Sequence, residues 1–336
     1  MATTFENSGV LDKSANPKRF RQQFSGKLIQ IFSLVVPIIL LGLIIFLAIN
    51  AWPAMKLNGV SFLTNSNWNL GSQYGKPITV DGMQVLPGAN YGILFLIFGT
   101  LASSFLALLF AIPVGLLAAM FISEIIPSRL RESVALLAEL LASVPSVVFG
   151  LWGYVVVIPV FSHYVYPVIA AILGFIPFFA APVRSGYGLL TAGIVLALMV
   201  VPIITANMRD AISAVPSADI ESAFALGSTR FEMVWKVVLP QIKRPLIGVS
   251  ILGLGRAMGE TMAVLMVSGN ALHIPKNIYS PMSTMASFLV SQLSSAMEDP
   301  TGMAVNSLVE VGLMLLILGV LVNAAARLLL LNTGKN

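Results

Sequence analysis

The chain of 336 residues contains no cysteine, and only 10% of its residues are charged. Without cysteine, disulfide bonds and thiolate metal sites are excluded. Soluble domains carry about 25% charged and about 45–50% apolar residues, whereas 57% of this chain is hydrophobic. So little charge over this length predicts several membrane spans in contact with membrane lipid, and not one large soluble core.

The sequence also lacks the signatures of catalysis and of nucleotide binding. No Gly-x-x-x-x-Gly-Lys-Ser/Thr loop occurs, so we expect any ATP hydrolysis to take place on a separate subunit. No Ser/His, Cys/His or His-Glu-x-x-His arrangement supports an intramembrane enzyme, and His163 and His273 are isolated, without metal-ligand spacing. We therefore expect no catalytic residue, no metal and no cofactor. The net charge of +5 fits basic cytoplasmic loops and does not require nucleic-acid binding.

Six apolar runs follow a basic, polar tail of residues 1–30. The runs cover residues 31–51, 91–122, 134–158, 188–207, 246–268 and 308–330. Each can cross a bilayer as a helix, which needs about 20 residues. An extracytoplasmic loop at 53–90 separates the first helix, 31–52, from the others, and residues 332–336 form a short cytoplasmic tail. The pattern therefore predicts an all-α, polytopic membrane protein with six transmembrane helices.

Residues 159–187 are apolar enough for a seventh span, but four prolines interrupt them. The positive-inside rule decides between the two topologies. Six spans with both termini in the cytoplasm place fourteen Lys and Arg residues on the cytoplasmic side and four on the other. A seventh span would move the five basic residues of 208–245 to the opposite side. We therefore predict an extracytoplasmic hairpin or re-entrant segment at 159–187.

The longest cytoplasmic loop, residues 208–245, has the pattern of two short helices. The first covers 218–226, and Gly227 can adopt the left-handed conformation that ends it. A Thr229-x-x-Glu232 capping box begins the second helix, which we expect to end before Pro240. Such a hairpin could dock another protein, or it could lie on the membrane surface as an amphipathic segment.

Several residues of this loop follow a recognisable spacing. They are Glu221, Ser222, Ala223, Gly227, Val237, Leu239 and Pro240. Their order resembles the EAA loop of bacterial ABC importer permeases, with Ser222 in place of Ala and Val237 in place of Ile. The resemblance implies a type I ABC importer permease core of the MetI-like kind over residues 91–331. It also implies that this loop couples to the ATPase by seating in a cleft of the ATP-hydrolysing subunit.

A second resemblance is more specific. Residues 253–264 read Gly-Leu-Gly-Arg-Ala-Met-Gly-Glu-Thr-Met-Ala-Val, and together with 143–150 and 199–205 they are similar to the PstC family, permease subunits of the bacterial Pst phosphate importer. The resemblance implies a multi-pass protein of the bacterial cytoplasmic (inner) membrane. It also implies three kinds of partner, namely a sibling permease, a homodimeric ATPase and an extracytoplasmic phosphate-binding protein.

Other functions remain possible on sequence grounds. The chain could be the sibling, PstA-like permease, or a permease for another oxyanion. From a different class, it could be an ATP-independent secondary transporter or channel. That alternative predicts an inverted repeat, which we do not find, and it leaves the coupling loop without a purpose.

The fifth apolar run carries two charges near its middle, Arg256 and Glu260. A charge at the bilayer centre costs about 2.5–3.5 kcal/mol on insertion scales, so such residues usually face a bundle interior or a water path. Spaced four apart, they share one face of a continuous helix. One interpretation is an ion pair that orders the bundle. The other, which the resemblance implies, is that both line the substrate path, where Arg256 binds phosphate oxygens and Glu260 limits how tightly the anion is held.

Overall fold

The computed structural model describes residues 17–180, 182 and 185–333. Residues 1–16 of the predicted basic tail, Arg184 and residues 334–336 lie outside the described residues. Internal contacts divide the chain into two units, residues 1–49 and residues 50–336. Helix α1, Pro17–Asn58, begins in the first unit. In that unit most of its large apolar side chains between Leu34 and Ile49 are exposed, as expected of a helix that faces lipid.

The second unit contains the end of α1, the remaining helices and four short strands. The helices are α2 (Ser61–Thr64), α3 (Leu94–Ile125), α4 (Ser128–Ala142), α5 (Ser146–Leu173), α6 (Leu189–Ser213), α7 (Ser217–Ala225), α8 (Arg230–Gln241), α9 (Lys243–Met258), α10 (Met262–Val267), α11 (Met285–Met297) and α12 (Met303–Thr333). The strands are β1 (Trp68–Asn69), β2 (Ile78–Val80), β3 (Met83–Val85) and β4 (Asn90–Tyr91).

Within the described residues, five helices are long and apolar enough to cross a membrane: α1, α3, α5, α6 and α12. The bent pair α8 and α9, which meet at 68°, brings the number to six if it is taken as one span. The predicted all-α, polytopic fold is therefore confirmed, although several helix bounds differ from the predicted ones.

The core of the second unit forms around α6, because 72% of the most apolar 18 residues of this helix are buried. Helix α3 packs against it closely. A Cβ atom added to Gly115 of α3 would lie 2.7 Å from Ile204 Cγ2 of α6, so only glycine fits there. At the same level, the Thr205 hydroxyl donates a hydrogen bond of 3.3 Å to the Gly115 carbonyl. These two helices provide the scaffold on which the candidate site is built.

The predicted third span, 134–158, is wrong in both bounds. Helix α4 ends at Ala142, and a new helix, α5, begins after Pro145 and continues to Leu173. Pro145 separates them because its backbone is extended, with ψ of 140°, directly before the first helical residue of α5. Residues 159–173, expected within an extracytoplasmic hairpin, instead continue α5.

The described residues contain four π-helical turns, and three of them explain how α5 and α8 pass their prolines. In the described part of the chain, each π turn ends two residues before a proline. The turns are Phe121–Ile125, Gly153–Val157, Phe161–Val165 and Val234–Val238, and the prolines are Pro127, Pro159, Pro167 and Pro240. Proline lacks an N–H, and its ring clashes with the carbonyl four residues earlier.

The extra residue of a π turn removes this conflict. In the turn before Pro159, for example, the Ile158 N–H bonds the Gly153 carbonyl, five residues earlier, and the wider turn shifts the carbonyl that the proline ring would meet. The helices therefore continue through Pro159, Pro167 and Pro240, where the sequence pattern predicts an interruption. The expectation that the second helix of the 208–245 loop ends before Pro240 is accordingly wrong.

Residues 59–93, most of the predicted polar loop, form a small folded layer. Strand β1 pairs with β4, and β2 pairs with β3, both antiparallel. The β2–β3 turn is Asp81-Gly82, with φ of 49° and 79°, the dipeptide that a tight hairpin favours. The Trp68 ring packs edge-on against Tyr91 of β4 at 5.2 Å and against Phe288 of α11 at 4.9 Å. The layer thus shares one hydrophobic core with α3, α11 and α12.

The last helix is longer than the predicted 308–330 run. It begins at Met303, and Asp299 caps it by accepting the Ala304 N–H at 2.9 Å. Glu310 therefore lies inside α12, where it is only 2% exposed. Its carboxylate accepts a hydrogen bond of 3.1 Å from the Asn58 amide at the end of α1. This contact supplies the partner that a buried carboxylate requires.

Candidate functional site

The run that carries Arg256 and Glu260 is broken in its middle. Helix α9 ends at Met258, residues 259–261 are not helical, and α10 begins at Met262. The last hydrogen bonds of α9 are long. The Gly259 N–H lies 3.3 Å from the Gly255 carbonyl, and the Glu260 N–H lies 3.4 Å from the Ala257 carbonyl. The predicted continuous span at 246–268 is therefore wrong. Broken helices at membrane depth occur where the backbone is buried in protein or lines a water-filled cavity.

The break places the two charges in different surroundings. Arg256 lies in the last turn of α9 and is exposed, and it has no ion pair with any described residue. Glu260 is half-buried, and its Oε1 atom accepts the Ala263 N–H at 3.5 Å, at the start of α10. An ion pair between them, one of the two interpretations of the sequence, is not present among the described residues. They do not share a helical face either, because the helix ends between them.

Two close backbone contacts fix the helices on either side of the break. A Cβ atom at Gly253 of α9 would lie 2.9 Å from Val200 Cγ1 of α6. A Cβ atom at Gly150 of α5 would lie 2.9 Å from the Ala263 Cα atom of α10. Backbones approach so closely only where side chains are small. The contact of Gly150 with Ala263 therefore limits the residue types that fit in the runs 143–150 and 253–264. The end of α9 that carries Arg256 is therefore held in a fixed position against α6.

The second group of candidate residues lies on α7 and the turn that follows it. Glu221 and Ser222 are exposed, whereas Ala223 is buried in the main core. The helix ends in a Schellman motif, in which Gly227, with φ of +85°, donates its N–H to Phe224 and Ser228 donates to Ala223. The left-handed conformation explains the glycine at this position.

Helix α8 begins with the predicted capping box. The Thr229 hydroxyl accepts the Glu232 N–H at 3.3 Å, and the Glu232 carboxylate accepts the Thr229 N–H at 3.1 Å. At its other end, Leu239 packs on the main core and Pro240 is exposed. The amide of Gln241 donates a hydrogen bond of 3.0 Å to Asp219 of α7. The two helices are thus held as one unit, which the chain then joins to α9 through the bend at Ile242.

An exposed apolar surface covers this pair of helices. It consists of Phe224, Leu226, Phe231 and Trp235, with Glu221 beside them, and we refer to these five residues as the coupling surface. Leu226 is 88% exposed, and the rings of Phe231 and Trp235 lie 5.8 Å apart. Clusters of exposed aromatic side chains are typical of protein interfaces. The sequence motif points to Glu221 but gives no sign of the aromatic neighbours contributed by α8.

One further contact near this region was not predicted. The Arg209 guanidinium at the end of α6 forms an ion pair of 2.9 Å with Glu139 of α4. The sequence gives no sign of this pair, because 70 residues separate the two side chains. The pair joins α4 to α6 directly before the coupling loop. No group of three or more His, Asp or Glu side chains in the described residues converges to form a metal site.

Comparison with known proteins gives consistent matches. The family described as binding-protein-dependent transport system inner membrane component matches residues 111–331. The phosphate transport system permease protein PstC 1 of Mycobacterium tuberculosis is 47% identical over 283 residues, covering 83% of this chain and 84% of that protein. PstC of Pasteurella multocida is 37% identical over 307 residues, or 90% of each chain.

A solved structure supports the fold independently. The chain resembles a subunit of the bacterial alginate ABC transporter crystallised with an alginate-bound periplasmic protein, with a TM-score of 0.55. The match covers 90% of this chain and 94% of the other at 16% identity. At this identity the similarity concerns the fold alone.

If residues 259–261 line a water path, a thiol at this break should react with water-soluble reagents. We expect Thr261→Cys to react with a permanently charged methanethiosulfonate at least roughly tenfold faster than Ala257→Cys, which is buried, or Val320→Cys, which is exposed on α12, because thiolates form in water and not in lipid. Labelling rates in membranes would measure this, and the absence of native cysteine makes each site unique in the chain. Equal rates at positions 261 and 320 would contradict a water-lined break.

Proposed function

Because this chain belongs to the PstC family of phosphate transport system permease proteins, within the binding-protein-dependent inner membrane components, we propose that its broken fifth span conducts inorganic phosphate. The chain is the permease subunit of a phosphate ABC importer, an inner membrane component with several spanning helices. The observation that carries the proposed path is the exposed Arg256, without an ion pair in the described residues, at a helix break.

Arg256 has the chemistry required for a phosphate site. The guanidinium is planar, is always charged and presents several N–H donors, which match two oxygens of one phosphate. An exposed, unpaired guanidinium is available to a passing ion without first breaking an ion pair. The free-energy cost of keeping such a charge at membrane depth is high unless water or an anion solvates it. A phosphate path supplies both water and the anion.

Glu260 acts in the opposite sense. Its carboxylate is held on the far side of Gly259, against the Ala263 N–H, and so stays near the path without neutralising Arg256 by direct contact. A negative charge at this distance offsets part of the field of Arg256 and repels a bound anion. An importer must release its substrate, so weak retention is an advantage. We assign to Glu260 the role of limiting phosphate affinity.

The energy for transport comes from other subunits. A permease of this class works within an ABC transporter of several subunits, and we propose that the partners are a sibling permease, a homodimeric ATPase and an extracytoplasmic phosphate-binding protein. The coupling surface would seat in the ATPase, with Glu221, Ser222, Ala223 and Gly227 forming the docked helix and its end, and Leu239 and Pro240 anchoring α8 to the core. Helix α8 leads directly into α9, so movement of the ATPase would reach Arg256 along a short route.

The proposed orientation follows from charge. The positive-inside rule places both termini and the coupling loop in the cytoplasm. The folded layer of residues 59–93, the 174–187 segment and the connection between α10 and α11 then face the extracytoplasmic side. On that side the substrate arrives from the binding protein, and α10 leads from there to the break.

The first test concerns Arg256 in the reconstituted complete transporter. We expect Arg256→Ala to lower radiolabelled phosphate uptake at least tenfold, which corresponds to about 1.4 kcal/mol, and Arg256→Lys to retain part of it because the charge remains without the planar fork. Arg327→Ala, an exposed arginine near the end of α12, is the matched control and should leave uptake unchanged. Co-purification of the partner subunits would establish assembly, and normal uptake by assembled Arg256→Ala would exclude the proposed role.

The coupling surface can be tested separately. We expect Leu226→Asp to reduce phosphate-stimulated ATP hydrolysis by roughly fivefold or more and to weaken co-purification of the ATPase, because it puts a charge into an apolar contact. Leu226→Met keeps the apolar side chain and should behave like the parent. Because Leu226 is 88% exposed, neither substitution disturbs the fold. Unchanged hydrolysis and co-purification of Leu226→Asp would place the ATPase elsewhere.

Reporter fusions test the orientation. A periplasmic alkaline phosphatase fused after Phe175, which is exposed beyond the end of α5, should be active because that enzyme folds only outside the cytoplasm. The same reporter fused after Gly227 should be inactive. The reverse pattern of activities would overturn the orientation and the assignment of the coupling loop to the cytoplasm.

A further inference from the structure

The connection between α10 and α11, residues 268–284, and Pro182 line an open cavity of about 600 Å³. Its polar lining residues are His273, Lys276, Asn277 and Ser280. Water occupies about 30 Å³ per molecule, so the space can hold a hydrated ion. The cavity belongs to neither of the sites described above, since Arg256 and the coupling surface are not among its lining residues.

The connection is fixed to the rest of the fold. Its Ile278 N–H bonds the Phe178 carbonyl at 3.0 Å, and the Ile278 carbonyl accepts the Leu190 N–H of α6 at 3.0 Å. The Tyr279 hydroxyl donates to the Phe179 carbonyl at 3.3 Å. Because these hydrogen bonds hold the segment, its side chains keep a constant geometry. A ligand that binds them then loses less free energy to ordering the site.

The polar residues of the cavity divide into two groups. Asn277 and Ser280 serve the connection itself, since the Ser280 hydroxyl donates to Asn277 Oδ1 at 2.7 Å and the Asn277 amide donates to the Ala180 carbonyl at 3.3 Å. Lys276 and His273 are exposed, and their side chains form no hydrogen bond or ion pair with a described residue. They are the groups left for a ligand.

The charge of Lys276 is not balanced by its own segment. From residue 261 to residue 297 the chain contains no Asp or Glu, and Lys276 is its only fully charged residue. Among the described lining residues Lys276 is the only Lys, Arg, Asp or Glu, and its positive charge produces a field that attracts anions and repels cations. A lysine ammonium is also a common ligand of phosphate groups, as a point charge with three donors.

We propose that this cavity is a weak receiving site for free inorganic phosphate, with Lys276 as the binding residue, which holds the ion before it reaches Arg256. The proposal rests on the proposed function and orientation, which put the cavity on the side where substrate arrives. Helix α10, six residues long, separates the cavity's segment from the break by only about 9 Å of helix. A phosphate ion would thus pass from one isolated cation to the next, held at each only weakly.

The first experiment tests the charge of Lys276 in the reconstituted complete transporter. We expect Lys276→Cys to lower phosphate uptake by roughly two- to fivefold, the range that corresponds to an exposed ion pair. Modification with the cationic 2-aminoethyl methanethiosulfonate should restore uptake, and the anionic 2-sulfonatoethyl reagent should lower it further. Lys76→Cys, an exposed lysine of the 59–93 layer, is the matched control and should respond to neither reagent. The parent complex, treated identically, measures reaction at cysteines of other subunits.

The second experiment tests binding directly and does not depend on transport. In maltoside detergent, inorganic phosphate should slow the reaction of Ile274→Cys, a cavity residue, with a neutral thiol reagent, while chloride at equal ionic strength should not. The protection should disappear in the double variant Ile274→Cys with Lys276→Gln. The same measurement with phosphatidylglycerol added to the detergent, and no free phosphate, distinguishes an ion from a lipid headgroup.

Each outcome decides between these ideas. Equal uptake after the cationic and anionic reagents, protection that persists without Lys276, or protection by phosphatidylglycerol alone would overturn the receiving site. A parent complex that transports no phosphate would instead overturn the proposed function, whatever Lys276 does. A parent that transports normally, together with unaffected Lys276 variants, would remove the receiving site and leave Arg256 as the phosphate-binding residue.

Discussion

Inside a membrane every backbone N–H and carbonyl must find its partner within the protein, and this requirement determines where the chain can bend. At Pro159, Pro167 and Pro240 the missing hydrogen bond is absorbed by a π turn, and the helix continues. At residues 259–261 the helix ends although the sequence has no proline there. The tightly packed glycines on both sides hold the two halves in place. The break is thus a stable feature of the fold, and Arg256 stands beside it.

Local rules were sufficient to predict the helix ends on either side of Gly227 in the 208–245 loop. A capping box and a left-handed glycine depend on residues three or four positions apart, so Thr229, Glu232 and Gly227 behave as their sequence indicates. The all-α fold with its long apolar helices follows from composition in the same way. The placement of Ala223 in the core, below the exposed Glu221, is also consistent with the period of a short amphipathic helix.

Features that depend on distant residues could not be predicted. The helix break separates Arg256 from Glu260, and the spacing of four alone suggests a shared face. Its position depends on how Gly150 and Gly253 pack against other helices. The ion pair of Arg209 with Glu139 and the burial of Glu310 against Asn58 join residues far apart in the chain. The connection that carries Lys276 is likewise held by a segment about 100 residues earlier, through the carbonyls of Phe178 and Phe179.

The π turns have a consequence for how such sequences diverge. A proline inside a helix removes one backbone hydrogen bond, which α3 and α6 accommodate at Pro113 and Pro202 without a π turn. An inserted residue rotates everything beyond it by about 100°. Together, an insertion and a proline two residues after the widened turn leave the helix intact, as at Val234–Val238 and Pro240. The extra residue and the proline therefore compensate each other in the geometry of the helix. We expect relatives that lack one of these prolines to lack the extra residue as well, so that the residues facing the core keep their register.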